Sequence, residues 1–150
     1  MRLGELLIQK KLLTQKQLDE ALEAQKITKD FLGTILVRYH LVKEDDLLKV
    51  LSEQFNMPMM QLQFQAIDWQ VAMRFTPSVV IDHMMLPIRQ EGHTLTLAIV
   101  NPLDADGMSR IEEQAKGLLI RPALVTLSEM KQALKTFNEH LAVKIKKMLQ

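Results

Sequence analysis

Residues 2–25 read RLGELLIQKKLLTQKQLDEALEAQ, and residues 31–54 read FLGTILVRYHLVKEDDLLKVLSEQ. The two stretches align without a gap at an offset of 29, with seven identities in 24 positions: Leu3/Leu32, Gly4/Gly33, Leu7/Leu36, Leu12/Leu41, Leu18/Leu47, Leu22/Leu51 and Gln25/Gln54. Leu6/Ile35, Ile8/Val37 and Leu13/Val42 exchange one apolar residue for another at matching places. A five-residue spacer, Lys26 to Asp30, separates the copies. Self-similarity at a fixed offset marks one supersecondary unit used twice.

Each copy parses as a short helix, a turn and a longer helix. In the first, Leu3, Leu6, Leu7 and the pair Leu12-Leu13 give one apolar side. Thr14 then stands as an N-cap with Gln17 three residues on, the pattern of a capping box, ahead of Leu18, Ala21, Leu22 and Gln25 at helical spacing. In the second copy Lys43 stands at the capping position, and Glu44, Asp45 and Asp46 put negative charge in the first helical turn, where it suits the helix dipole. Two helix pairs in tandem predict a four-helix unit with apolar stripes facing inward.

The repeated polar and small residues carry two readings each. Gly4 and Gly33 either let helices approach closely or leave backbone amides open to a ligand. The pairs Leu18/Leu22 and Leu47/Leu51 read as core stripes or as apolar contacts for a flat ligand, and Gln25 and Gln54 as solvated helix ends or as hydrogen-bonding groups at a site. Duplication favours attention to Gly and Gln, because a helical core requires neither at both places.

Beyond the repeat the pattern changes, which divides the chain into residues 1–56 and 57–150. Residues 67–75 and 77–83 read as short helices, the second with Thr76 as N-cap and Pro77 at the first position. Leu86 to Gln90, a turn at Glu91-Gly92, and the alternating run His93 to Val100 predict a hairpin. Asp104 to Lys116 reads as a helix ending at Gly117, Leu118 to Val125 as a strand, and Ser128 to about Met148 as a long helix. The fold class is therefore α+β: a four-helix unit followed by a small α/β sandwich with about three strands.

Composition narrows the function. The 150 residues carry 19 Lys+Arg against 18 Asp+Glu and no cysteine, which excludes disulfides and thiolate metal sites and argues against holding a nucleic-acid polymer by bulk charge. A bound nucleotide needs a shaped site instead. Ten methionines against one Trp and one Tyr suggest pliable packing, as core filler or at a contact surface. The start, interrupted by Glu5 and then Lys10-Lys11, suits neither a signal peptide nor a membrane span, so a cytoplasmic location without membrane insertion is expected. Phosphate-loop, nucleophile-elbow, zinc-protease and dinucleotide-loop signatures are lacking, and His40, His83, His93 and His140 show no metal-ligand spacing, so no catalysis is expected.

The order Arg-Leu-Gly, leucine cluster, Leu-x-x-x-Leu-x-x-Gln, five-residue spacer and second similar block resembles the MshEN domain. That domain is typical of the N-termini of type II secretion and type IV pilus assembly ATPases and also occurs on some membrane glycosyltransferases. The resemblance covers residues 2–54 in register and residues 59–145 more loosely. It implies binding of cyclic di-GMP, a second messenger built of two like halves, with one set of contacts per motif. Carried over, the site residues are Arg2, Leu3, Gly4, Leu18, Leu22 and Gln25 in the first motif, and Leu32, Gly33, Leu47, Leu51 and Gln54 in the second.

The family pattern usually has glycine where Lys11 and His40 stand here, an acidic residue where Thr34 stands, and Asp-Pro where this chain has Asn101-Pro102. An acidic residue at that place would pair with the motif arginine; Asn101 offers a neutral hydrogen bond. Phe31 occupies the position of Arg2 in the second copy, as core or as a stacking face for a base. Implied partners are the remainder of a host ATPase or glycosyltransferase and inner-membrane components of its machinery. The alternative function is a docking module that links such a host to its membrane partner without a ligand.

Overall fold

The structure is a computed structural model describing residues Met1–Gln150. The chain packs as two compact units, Met1–Met59 and Met60–Gln150. Within the first are α1 (Leu3–Gln9), α2 (Gln15–Thr28), α3 (Leu32–Arg38) and α4 (Glu44–Phe55). These are the four helices predicted by the repeat, short then long in each copy. Thr14 and Gln17 form a complete capping box at the start of α2, whereas the Lys43 side chain caps nothing and α4 begins on its three acidic residues. One boundary differs from expectation: α2 runs through Thr28, into the spacer, before Lys29 turns left-handed at φ 64°. Gln25 is therefore not its last residue.

The long helix of each copy packs on the short helix of the other, α2 against α3 and α4 against α1. Leu7, Leu36, Ile35 and Leu51 are buried in this unit. Within each copy Leu18 and Leu47 also reach the glycine of their own short helix, so the two copies make one core together.

The second unit holds a single 3₁₀ turn (Leu62–Phe64), α5 (Trp69–Ala72), α6 (Pro77–His83), β1 (Met85–Glu91), β2 (Thr94–Ile99), α7 (Ala105–Ala115), β3 (Leu119–Leu124) and α8 (Leu127–Met148). Sheet order is β1-β2-β3, with β1 and β2 an antiparallel hairpin and β3 parallel to β2. The hairpin closes on Gly92 at φ 60°, first of the two loop residues, a conformation that favours glycine. Pairing shifts register between Pro87 and Arg89, and the Ile88 carbonyl accepts the Asp68 N–H at 2.8 Å. Proline lacks the N–H a ladder needs, so a bulge beside it loses little and attaches the α5 entry to the sheet edge. Leu95, Leu97, Ile99, Ile111, Met130 and Phe137 form the centre of this unit's core, each at most 1% exposed.

Three local expectations are corrected. The helix expected over 67–75 is one turn, because the Asp68 carboxylate accepts the Gln70 and Val71 N–H groups and starts it late. It ends early because Arg74 and Phe75 bond back three residues rather than four. Thr76 does precede α6, but its hydroxyl caps nothing; its N–H donates to Gln114 Oε1 at 2.7 Å. The last helix begins at Leu127 rather than Ser128, since Thr126 is the residue whose hydroxyl accepts the Glu129 N–H.

Candidate ligand-binding site on the duplicated helices

Both short helices end alike. Lys11 N–H bonds Ile8 O and Leu12 N–H bonds Leu7 O; His40 N–H bonds Val37 O and Leu41 N–H bonds Leu36 O. This is the Schellman arrangement, which places one residue in the left-handed region, and Lys11 (φ 62°) and His40 (φ 59°) occupy it. Glycine fits that position without steric cost, which accounts physically for the family's preference there.

The glycines serve packing. A Cβ on Gly4 would lie 2.5 Å from Leu18 Cδ1, so the paired leucine of the same copy presses on the bare backbone. A Cβ on Gly33 would lie 3.1 Å from Leu47 Cδ2 and 2.6 Å from Phe31 Cε2. Leu3, Leu18, Leu32, Leu47 and Leu51 are buried. Leu22 departs from the core reading: it is 38% exposed, against 2% for its counterpart Leu51.

Neither glutamine is a solvated helix end. Gln25 Nε2 donates to Asp30 O at 3.1 Å, and Gln54 Nε2 donates to Met1 O at 2.9 Å. Asp30 and Met1 occupy equivalent places, each two residues before the Leu-Gly of its copy. The structure thus exchanges the glutamines: the Gln closing the first motif holds the start of the second, and the Gln closing the second holds the start of the first. Order along the chain groups each with its own motif instead. Gln54 Oε1 is buried and has no donor. Arg2 is exposed, and its side chain neither caps α1 nor pairs with a carboxylate. The first copy therefore presents an unengaged guanidinium and an open leucine, and Gln54 of the second copy brings an acceptor lacking a donor to the first copy's start.

Asn101 is occupied locally: its Oδ1 accepts the Leu103 N–H at 2.8 Å, an Asx turn leading to α7. A pair that sequence reasoning misses lies in the same unit. His83 Nδ1 sits 2.7 Å from Asp104 Oδ2, joining the end of α6 to the N-cap of α7, with Gly107 leaving room for the ring. Histidine spacing along the chain gives no sign of it, since the residues are 21 apart. A second missed feature is a groove of about 1100 Å³ in the same unit, where Trp69 stacks on His140 at 4.9 Å beside Arg74, Lys144 and Lys147.

Comparison with known proteins places this architecture. The type IV pilus assembly ATPase PilB of Myxococcus xanthus is 30% identical over 101 residues, 67% of this chain and 18% of that protein. PilB of Thermus thermophilus is 27% identical over 135 residues, 89% of this chain and 15% of that protein. The chain therefore spans under a fifth of the length of these relatives. Among solved structures, MshE with cdg superposes with TM-score 0.74 at 24% identity, covering 91% of this chain and 99% of that one. The N-terminal domain of XpsE gives 0.73 at 19% identity, covering 89% and 92%. At such identities these likenesses speak for the fold. The family model for the MshEN domain matches residues 55–142, so the half whose resemblance is the looser by motif carries the match. With more than half of its length matched and its fold shared, this chain belongs to the MshEN family.

Proposed function

We propose that the duplicated helices bind cyclic di-GMP and that the chain acts as a regulatory, non-catalytic domain of a type II secretion or type IV pilus assembly ATPase. The observation carrying the reading is a set of unengaged groups, Arg2 and Leu22 of the first copy and the donorless Oε1 of Gln54, which the second copy brings to the start of the first, in a two-copy frame whose glutamines cross over. A ligand made of two like halves suits a frame made of two like copies. The guanidinium fork matches guanine O6 and N7, and a guanine N–H supplies a donor for the Gln54 oxygen. Leu3, Leu18, Leu32, Leu47 and Leu51 shape the apolar floor, and Gly4 and Gly33 keep it close to the backbone. Gln25 fixes the start of the second motif as Gln54 does the first. The MshE neighbour is a structure with cdg, and the sequence relatives are pilus ATPases many times longer than this chain, which supports both parts of the reading. Ligand bound across the two copies would bias their arrangement and through it the attached machinery.

Calorimetric titration tests it. Cyclic di-GMP is expected to bind the wild-type chain, and Arg2→Ala to weaken binding about tenfold or more, the loss of a charge-assisted hydrogen bond of about 1.5–3 kcal/mol. No heat at high-micromolar ligand overturns the proposal.

A second reading, a docking module for a protein partner, is favoured by one observation. The Trp69–His140 groove joins apolar Met73, Val143 and Met148 to Arg74, Lys144 and Lys147, a surface chemistry suited to an acidic amphipathic segment. Retention of a membrane partner that is indifferent to cyclic di-GMP and lost in Trp69→Ala supports this reading.

A further inference from the structure

The two copies share backbone geometry but differ in what they offer a base. Arg2 and Phe31 are equivalent positions, each directly preceding Leu-Gly. Around Gly4 the atoms nearest to a Cβ position all belong to Leu18. Around Gly33 the Phe31 ring takes part of that space, lying 2.6 Å from the Cβ position and beside Leu47. The ring is half-buried, whereas Arg2 is exposed. The polar groups differ in the same sense, since Gln54, which holds the start of the first copy, has a buried acceptor without a donor, and Gln25, which holds the start of the second, has none.

We propose that the site reads base identity at one half only: guanine at the Arg2–Gln54 half, and any base at the half where Phe31 replaces arginine. The inference rests on the cyclic dinucleotide reading given above. Its physical basis is the difference between the two side chains. A guanidinium donates to O6 and N7 of guanine, and adenine presents an amino donor where guanine has O6, so arginine discriminates between them. A phenyl ring donates nothing and accepts nothing; it offers a face that every base can contact, which is sequence-tolerant. The buried Gln54 oxygen adds selectivity at the first half, because guanine N1–H and N2–H are donors, whereas adenine N1 and N3 are acceptors that would face the oxygen without a proton between them. Phe31 is then the specificity-determining residue of this chain, and its ligand class is a cyclic dinucleotide with at least one guanine.

The test is titration of the full chain with cyclic di-GMP, the hybrid cyclic GMP–AMP and cyclic di-AMP, followed calorimetrically. The expected result is that cyclic di-GMP and the hybrid bind within about threefold of each other, while cyclic di-AMP binds at least about tenfold more weakly. In Phe31→Arg, cyclic di-GMP is expected to gain at least about tenfold over the hybrid, because both halves then read guanine. In Arg2→Ala, cyclic di-GMP and the hybrid are expected to weaken together and their advantage over cyclic di-AMP to shrink to what Gln54 alone supplies. A hybrid that binds the wild-type chain as poorly as cyclic di-AMP overturns the proposal while leaving the cyclic di-GMP reading intact, and it does so without any variant. An unchanged ratio in a folded Phe31→Arg, judged by its circular dichroism, overturns it as well. If none of the three ligands binds, the reading beneath falls and this inference falls with it.

Discussion

Of the four left-handed residues in the helical unit, Lys11 and His40 close the two short helices, and two bare backbones lie at the starts of those helices. Lys11 and His40 sit at φ 62° and 59° because the Schellman bonds around them require it, and a side chain in that region costs roughly 1–2 kcal/mol. Lys11→Gly and His40→Gly are therefore expected to stabilise the fold by about 1 kcal/mol each, after the added flexibility of the unfolded chain is allowed for. Urea midpoints would show it, and a loss of stability in both variants would contradict the steric account. The opposite holds at Gly4, whose place beside Leu18 leaves no room for a methyl group. Gly4→Ala should cost about 1–3 kcal/mol, and combined with Leu18→Ala it should cost less than the two single losses added, since the neighbour that it strikes is then shortened.

Among the elements, the two long helices begin by different means. α2 has a complete capping box from Thr14 and Gln17, and α4 has Lys43 with no side-chain cap, relying on the charges of Glu44, Asp45 and Asp46. Thr14→Ala should lose about 1 kcal/mol, while Lys43→Thr should gain up to about 1 kcal/mol, both read from urea unfolding. Elements are legible in the sequence where their signals are local: caps, the glycine-closed hairpin and the alternation along β2. The boundaries of α5 and the start of α8 are not. In both cases a nearby polar side chain, Asp68 or Thr126, accepts the helix N–H groups in preference to the boundary that apolar spacing suggests.

The division into two compact units puts the proposed ligand on one and the family match largely on the other. Ligand at about one hundred times its dissociation constant should stabilise the unit that binds it by about 2.7 kcal/mol. Hydrogen exchange should accordingly slow in residues 2–54 on addition of cyclic di-GMP, with the amides of β1 to β3 unchanged. Protection confined to the sheet would place the ligand elsewhere and contradict the assignment. Balanced charge, 19 basic residues against 18 acidic, is compatible with such a ligand because the proposed site would work through a shaped apolar floor and a few directed polar groups.

Residue order alone is enough to specify the helix pairs, the capping box, the hairpin and the two-part α+β organisation, because each depends on residues within a turn or two of one another. It also supplies the candidate residues, since a repeat shows which positions recur. What those residues do depends on contacts between segments far apart in the chain. Gln54 reaches Met1 across 53 positions, Phe31 lies over Gly33 beside Leu47, Leu22 stays open while Leu51 closes, and His83 meets Asp104. Periodicity sets the face on which a side chain lies. Which other face packs against it, and which polar atom is left without a partner, follows from how distant segments fill one volume.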